Sequence, residues 1–102
     1  MRTTEFVQAV ISDAEIRRIF NRSKLAVEIL GVLKAGDNYI SEIARACSSD
    51  ASNVGLRIRG NNIRYASSMI DLGLVFEYED RAGHKYYGIT ALGLGWYGKV
   101  KQ

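Results

Sequence analysis

The chain has no proline, one cysteine, one histidine and one tryptophan in 102 residues. The lone Cys47 excludes an intramolecular disulfide framework and makes a reducing compartment the simpler reading. His84 has no second histidine and no nearby cysteine with which to make a metal site, so no metal and no cofactor is expected. Without proline or low-complexity sequence no linker is visible, and the breaks must be read from glycines and polar turns. No apolar run approaches the ~20 residues that span a bilayer, so no membrane partner is expected. The first residues, Met1-Arg2-Thr3-Thr4-Glu5, lack the apolar stretch and small-residue cleavage site of a signal peptide, and a cytoplasmic protein is expected. The ten glycines are scattered, and Gly93-Leu94-Gly95 follows a helix start instead of a strand, so no phosphate-cradling loop is present. No catalytic set is visible; the expectation is a protein that is not an enzyme.

What remains is ordinary globular composition, 47% hydrophobic and 25% charged, with net charge +3 and a pI near 9.2. The distribution of charge says more than its sum. From Ala51 to Tyr65 there are three arginines (Arg57, Arg59, Arg64) and no acid, whereas Glu77, Glu79 and Asp80 form an acidic run. A localised basic stretch suits phosphate binding; a solvated helix face is the plain alternative.

The order of elements follows from caps and periodicity. Glu5 to Ile11 is apolar and fits a short helix or a strand. Ser12 and Glu15 form a capping box, followed by Ile16, Ile19 and Phe20 on one helical face. Ser23 caps a helix carrying Leu25, Ala26, Ile29, Leu30 and Leu33, which Gly36 ends. Tyr39-Ile40 fits one rung of a small sheet. Ser41 is the expected cap of a helix with Ile43, Ala44 and Cys47. Asp50 caps the next, with Val54 and Ile58 on one face. Gly60-Asn61-Asn62 breaks the chain, and a further helix is predicted from Arg64 to Leu72, ending at Gly73. Two strands, Leu74 to Glu79 and His84 to Thr90, flank a hairpin turn in which Gly83 supplies the positive φ. Thr90 caps a last helix, Ala91 to Val100, with Leu92, Trp96 and Val100 in line. The pattern is α+β, helices with a small sheet at one end.

Ser41 to Val54 resembles the general helix-turn-helix pattern. Ala44 is the small residue where the helices approach, and Ile43, Cys47, Val54 and Ile58 supply the shared core. Ser48 stands where glycine is usual, and Ser49 where an apolar residue is commoner. In this geometry the second helix presents its N-terminal residues to the major groove. Ser52 and Asn53 then lie in the exposed first turn, with Arg57 a turn further on; Asn pairs with adenine, Arg with guanine or phosphate. Arg59 and Arg64 fall in a stretch, Arg-Gly-Asn-Asn-Ile-Arg-Tyr, that is either a loop on backbone phosphates or a connector with Tyr65 packed on the core.

The C-terminal frame, Asp71-Leu72-Gly73-Leu74-Val75 followed by Lys85-Tyr86-Tyr87-Gly88-Ile89-Thr90-Ala91-Leu92-Gly93, resembles the winged-helix transcriptional regulators of archaea and bacteria, including the MarR-like and ArsR-like groups. The resemblance covers about Ser23 to Val100. It implies a winged helix-turn-helix: a three-helix core plus a β-hairpin wing, with extra N-terminal and C-terminal helices, residues 1–22 being an extension and 23–102 the DNA-binding domain. It also implies a hairpin tip along the DNA backbone, which would place Arg81, His84 and Lys85 on phosphates, although the neighbouring acids leave only the tip able to approach. The expected partner is double-stranded DNA, and the expected function sequence-specific transcriptional regulation. The alternative is a protein-interaction module, or a subunit of a larger nucleic-acid machine. One winged helix reads a short half-site, so a homodimer is expected, built from the apolar N-terminal residues (Phe6, Val7, Val10, Ile11, Ile16, Ile19, Phe20) and the last helix.

Overall fold

The computed structural model describes residues 14, 16–18, 20–60 and 68–100. Helical backbone at 14, 16–18 and 20–22 precedes four helices and one hairpin: α1 (Lys24–Ala35), α2 (Ile40–Ala46), α3 (Ala51–Arg59), β1 (Val75–Glu79), β2 (Lys85–Ile89) and α4 (Ala91–Val100). The architecture is α+β, as the sequence predicts.

The Ser23 Oγ accepts the Ala26 N–H at 3.3 Å and so starts α1, whose buried residues Ala26, Ile29, Leu30 and Leu33 recur at helical spacing. Gly36 closes it with an N–H to the Leu33 carbonyl, in extended instead of left-handed backbone. The next two expectations shift by a residue or two. Asn38, not Tyr39-Ile40, is the rung of the sheet: it exchanges both backbone hydrogen bonds with Tyr87, at 3.0 and 2.8 Å. The N-cap of α2 is then Tyr39, whose carbonyl accepts from Glu42 and Ile43, and Ser41 lies inside the first turn instead of capping it. The pairing with β2 fixes where the chain turns into the helix, and that partner is remote in sequence.

The α2–α3 corner is a Schellman turn. The Ser49 N–H reaches the Ala44 carbonyl at 2.9 Å and the Ser48 N–H the Arg45 carbonyl at 3.2 Å. Ser48 has φ +54, in the left-handed region, at the position where the helix-turn-helix pattern has glycine. Asp50 caps α3 through its Oδ1, which accepts the Asn53 N–H at 2.7 Å.

The helix predicted from Arg64 to Leu72 is not one over its described part. Residues 61–67, Arg64 among them, lie outside the described residues; residues 69–73 form turns. The reason is a competing set of acceptors. The Met69 and Ile70 N–H groups donate to the Arg57 and Ile58 carbonyls at the end of α3, both at 3.1 Å, which satisfies carbonyls that a helix end leaves open. Met69 is thereby carried into the core.

β1 and β2 pair antiparallel with Val75 opposite Ile89 and Glu79 opposite Lys85. The turn is held by Asp80, whose Oδ1 accepts the Ala82 and His84 N–H groups at 2.9 Å, and by Gly83 at φ +84. These two bonds, His84's first, hold the Asp80 carboxyl below its usual range. Thr90 caps α4 as predicted: its Oγ1 accepts the Gly93 N–H at 3.0 Å and donates to the Gly73 carbonyl at 2.5 Å.

The core joins Ile29, Leu30 and Leu33 of α1 to Ile43, Val54, Ile58, Met69, Leu74, Val75, Tyr87 and Trp96. The apolar residues expected to build a dimer divide. On α4 Leu92 is 47% exposed, whereas Trp96 is buried because α4 turns it inward with Gly93. Ile16 is fully buried and Phe20 packs on Trp96 within the same chain, so this part of the N-terminal apolar set is used inside one protomer. Arg17 and Lys99 lie over the Trp96 ring at 5.2 and 4.4 Å. Phe6, Val7, Val10, Ile11 and Ile19, with the Ser12–Glu15 capping box, lie outside the described residues. Among the described residues no helix is long and apolar enough to cross a membrane.

Candidate nucleic-acid interface

Burial of Val54 and Ile58 fixes the rotation of α3 and so decides which residues it offers outward. Ser52, Leu56 and Arg59 lie on one exposed stripe, spaced i, i+4 and i+7, and line a shallow groove with Ala51, Gly55 and Gly60. Gly55 is part of this arrangement: a Cβ there would stand 3.0 Å from an Arg59 terminal nitrogen, so the guanidinium lies back along the helix across the glycine.

A second groove, of about 710 Å³, opens between the start of α2, the end of α3 and β2. Ser41 and Arg59 line one side, and His84, Lys85 and Tyr86 the other, with Tyr39 and Tyr87. Arg59 lines both grooves, so they adjoin at its side chain. Among the described residues no acid lines either.

Arg59 has a support that the sequence does not reveal. Tyr87, fully buried, donates its hydroxyl to Glu77 Oε2 at 2.7 Å, and the Arg59 guanidinium lies beside that hydroxyl. Burial, and then the bond to Glu77, push the Tyr87 hydroxyl up to about 12, with Arg59 pulling in the opposite direction. One of the hairpin acids is thus engaged on the inner side of the sheet.

The sequence-predicted residues divide into three groups. Ser52 and Arg59 share the α3 stripe, and Arg59, His84 and Lys85 share the larger groove. Asn53 is exposed, but its N–H and its side-chain amide both donate to Asp50, at 2.7 and 3.3 Å. Arg81 is exposed at the turn, and His84 Nδ1 lies 3.4 Å from Asp80 Oδ2. Arg57 sits away from the stripe: it is half-buried, and its Nε is buried with no hydrogen-bond partner among the described residues. It is one residue past Leu56, and 100° of helical rotation turns it toward the core side. Arg64 lies outside the described residues.

Sequence reasoning missed Leu56, Gly55, Tyr86 and the Tyr87–Glu77 support. The first two were findable, since Ser52 and Arg59 already define a helical stripe that includes positions 55 and 56. It also missed an aromatic row on the hairpin face opposite the Tyr87 side chain, whose Tyr86 and Tyr39 end borders the larger groove. Phe76, Tyr78 and Tyr86 stack in sequence with ring centroids 5.8 and 5.7 Å apart, and Tyr39 meets Tyr86 edge-on at 5.7 Å. Gly88 admits this row, because a Cβ there would stand 2.5 Å from the Phe76 ring. Tyr78 is tied down by a 2.8 Å bond to Asp37, which raises its pKa. Cys47 is half-buried, and burial together with the Glu28 charge pushes its thiol up, away from the reactive thiolate. Among the described residues no three His, Cys, Asp or Glu side chains gather in a way that could hold a metal ion.

Comparison with known proteins adds two findings. A protein of Methanocaldococcus jannaschii, itself uncharacterised, is 43% identical over 86 aligned residues that span 79% of this chain and 77% of its own length. The model of the EarA-like family matches residues 16–99, from the buried Ile16 through the corner, the hairpin and nearly all of α4. On that match and that identity, the chain belongs to the EarA-like family.

Proposed function

We propose that this protein is a winged helix-turn-helix regulator that binds duplex DNA, with α3 in the major groove and the β1–β2 hairpin as the wing along the backbone. One observation carries the reading: the α3 stripe and the groove beneath the hairpin adjoin at Arg59, together they bear Ser41, Ser52, Arg59, His84 and Lys85, and among the described residues no acid lines either. A surface of this sign and extent suits a phosphate backbone, and the exposed face of α3 beside it suits base edges. Ser52 and Arg59 are the central contacts, with His84, Lys85 and Arg81 on phosphates. Asn53 contributes only by giving up its bond to Asp50. Arg57 supports the helix more than it reads the groove.

The test is a fluorescence-anisotropy titration of a mixed-sequence duplex at two salt concentrations. Wild type binds more weakly as salt rises. Arg59→Ala lowers affinity and flattens the salt slope by about one charge, whereas Arg57→Ala leaves the slope unchanged. Absence of salt-sensitive binding, or a larger slope change in Arg57→Ala than in Arg59→Ala, refutes this assignment.

A homodimer is part of the proposal, since paired half-sites need paired modules. Leu92 and Leu94 of α4 are 47% and 45% exposed, and among the described residues nothing outside the helix's own turns lies within 4 Å of a Cβ placed at Gly95 or Gly98. Light scattering that gives a monomer at tens of micromolar removes the dimer. The aromatic row favours a second reading, a protein-interaction module. Under it Phe76→Ser abolishes partner capture and duplex binding is absent.

A further inference from the structure

We infer that Leu56 is a base-reading residue that packs on the C5-methyl group of a thymine; the inference rests on the duplex-binding reading above. Leu56 is 42% exposed and is the one large apolar side chain among the exposed residues of α3, which are otherwise Ala51, Ser52, Asn53 and Arg59. It contributes nothing to the core, which α3 supplies through Val54 and Ile58. Its place is between Ser52 and Arg59 on the outward stripe, with Gly55 beside it keeping that side of the helix low. A polar residue at this position would hydrate freely, so a leucine there costs apolar exposure unless something covers it.

The surrounding chemistry narrows what that is. Among the described residues no acid lines the stripe, and Arg59 closes it, so the occupant is anionic overall yet offers an apolar group to Leu56. Duplex DNA offers one methyl group in the major groove, that on C5 of thymine; the other three bases carry none there. Ser52, one turn toward the N-terminus, bonds a neighbouring base edge, and Arg59, one turn toward the C-terminus, holds the phosphate. Leu56 thus confers sequence preference where Arg59 confers affinity.

Replacing thymine by uracil removes this methyl and alters nothing else on the groove edge. The experiment begins with selection from a random-sequence duplex pool by wild-type protein, followed by single thymine-to-uracil substitutions through the selected duplex. Burial of one methyl group is worth about fourfold in affinity. Wild type therefore loses about fourfold at one thymine. Leu56→Ala, which folds normally because Leu56 lies outside the core, binds the thymine and uracil duplexes alike, near the wild-type affinity for the uracil form. A parallel pool made with 5-methylcytosine identifies the source of the methyl: selection of the same thymine supports the assignment, and a shift to methylcytosine overturns it. The inference also fails if every uracil substitution is neutral in wild type, or if the loss persists in Leu56→Ala. If the pool yields no binding at low salt, the duplex reading itself fails, and that result is distinct from binding without methyl dependence.

Discussion

Gly93 and Gly95 lie two residues apart in α4, and the same substitution has opposite consequences at the two sites. Replacing helical glycine by alanine gains about 1 kcal/mol of helix propensity. At Gly95 nothing among the described residues outside the helix's own turns lies within 4 Å of the new Cβ, so that gain is kept. At Gly93 the Cβ would overlap the Leu74 carbonyl oxygen and stand 2.8 Å from Ile89 Cγ1. The obstacle is backbone, and that carbonyl already accepts the Thr90 N–H at 3.0 Å, so it cannot move without loosening the join between the hairpin and α4. Overpacking of this kind costs about 3 kcal/mol at the upper end of its usual range. Net of propensity, Gly93→Ala is destabilising by about 2 kcal/mol, a fall of roughly 8–16 °C in Tm; in the isolated protomer, at concentrations below those of the dimer, Gly95→Ala is stabilising by about 1 kcal/mol, a rise of roughly 4–8 °C. Urea denaturation reads both as shifts in midpoint at constant slope. A neutral or stabilising Gly93→Ala refutes the packing of α4 on Leu74. A destabilising Gly95→Ala, growing with protein concentration, shows that a second copy fills the space beside that glycine.

Two further outcomes follow from the site's surroundings. Ser48 holds a left-handed φ of +54 that costs an L-residue about 1 kcal/mol, so Ser48→Gly raises stability by roughly 0.5–1 kcal/mol in thermal or urea melts; a loss of stability would mean that the α2–α3 corner is built differently. Tyr87 titrates near 12 in the folded protein against about 10 when unfolded. The folded state holds this proton more tightly, so the stability it contributes is complete below pH 10 and is lost as pH rises from 10 toward 12. Absorbance at 295 nm should show a component with a midpoint near 12 that Tyr87→Phe removes; a normal midpoint would place the hydroxyl in solvent.

The elements legible in the sequence were those written in local chemistry. Ser23, Asp50 and Thr90 cap helices because each is a short oxygen-bearing side chain three residues before the N–H it accepts. Gly83 marks the hairpin because its neighbours leave no other residue free to take a positive φ. The misplaced elements were those whose partners are distant. Tyr39 caps α2 because Asn38 pairs with Tyr87, almost fifty positions on. The chain at 69–73 makes turns because the amides of Met69 and Ile70 are taken by carbonyls of α3. The site was legible in the same measure. Ser52 and Arg59 follow from the pitch of α3 once Val54 and Ile58 are assigned to the core. Arg57 lies off that stripe because one position past Leu56 is a 100° turn of the helix, and Leu56 is hard to read as a surface residue because an apolar residue in a helix reads by default as core.

The sequence by itself determined the helices that begin at Ser23, Asp50 and Thr90, the hairpin and the basic stretch without acids, because each depends on residues within a turn or two of one another. Tertiary structure alone decided that Arg59 lines both the α3 stripe and the hairpin groove, that Tyr87 and Glu77 stand behind it, that Gly93 carries α4 against Leu74 and that Phe76, Tyr78 and Tyr86 stack across one face of the sheet with Tyr39 edge-on at its end. Those relations depend on where separate segments come to rest, and side-chain packing sets that at separations local periodicity does not reach.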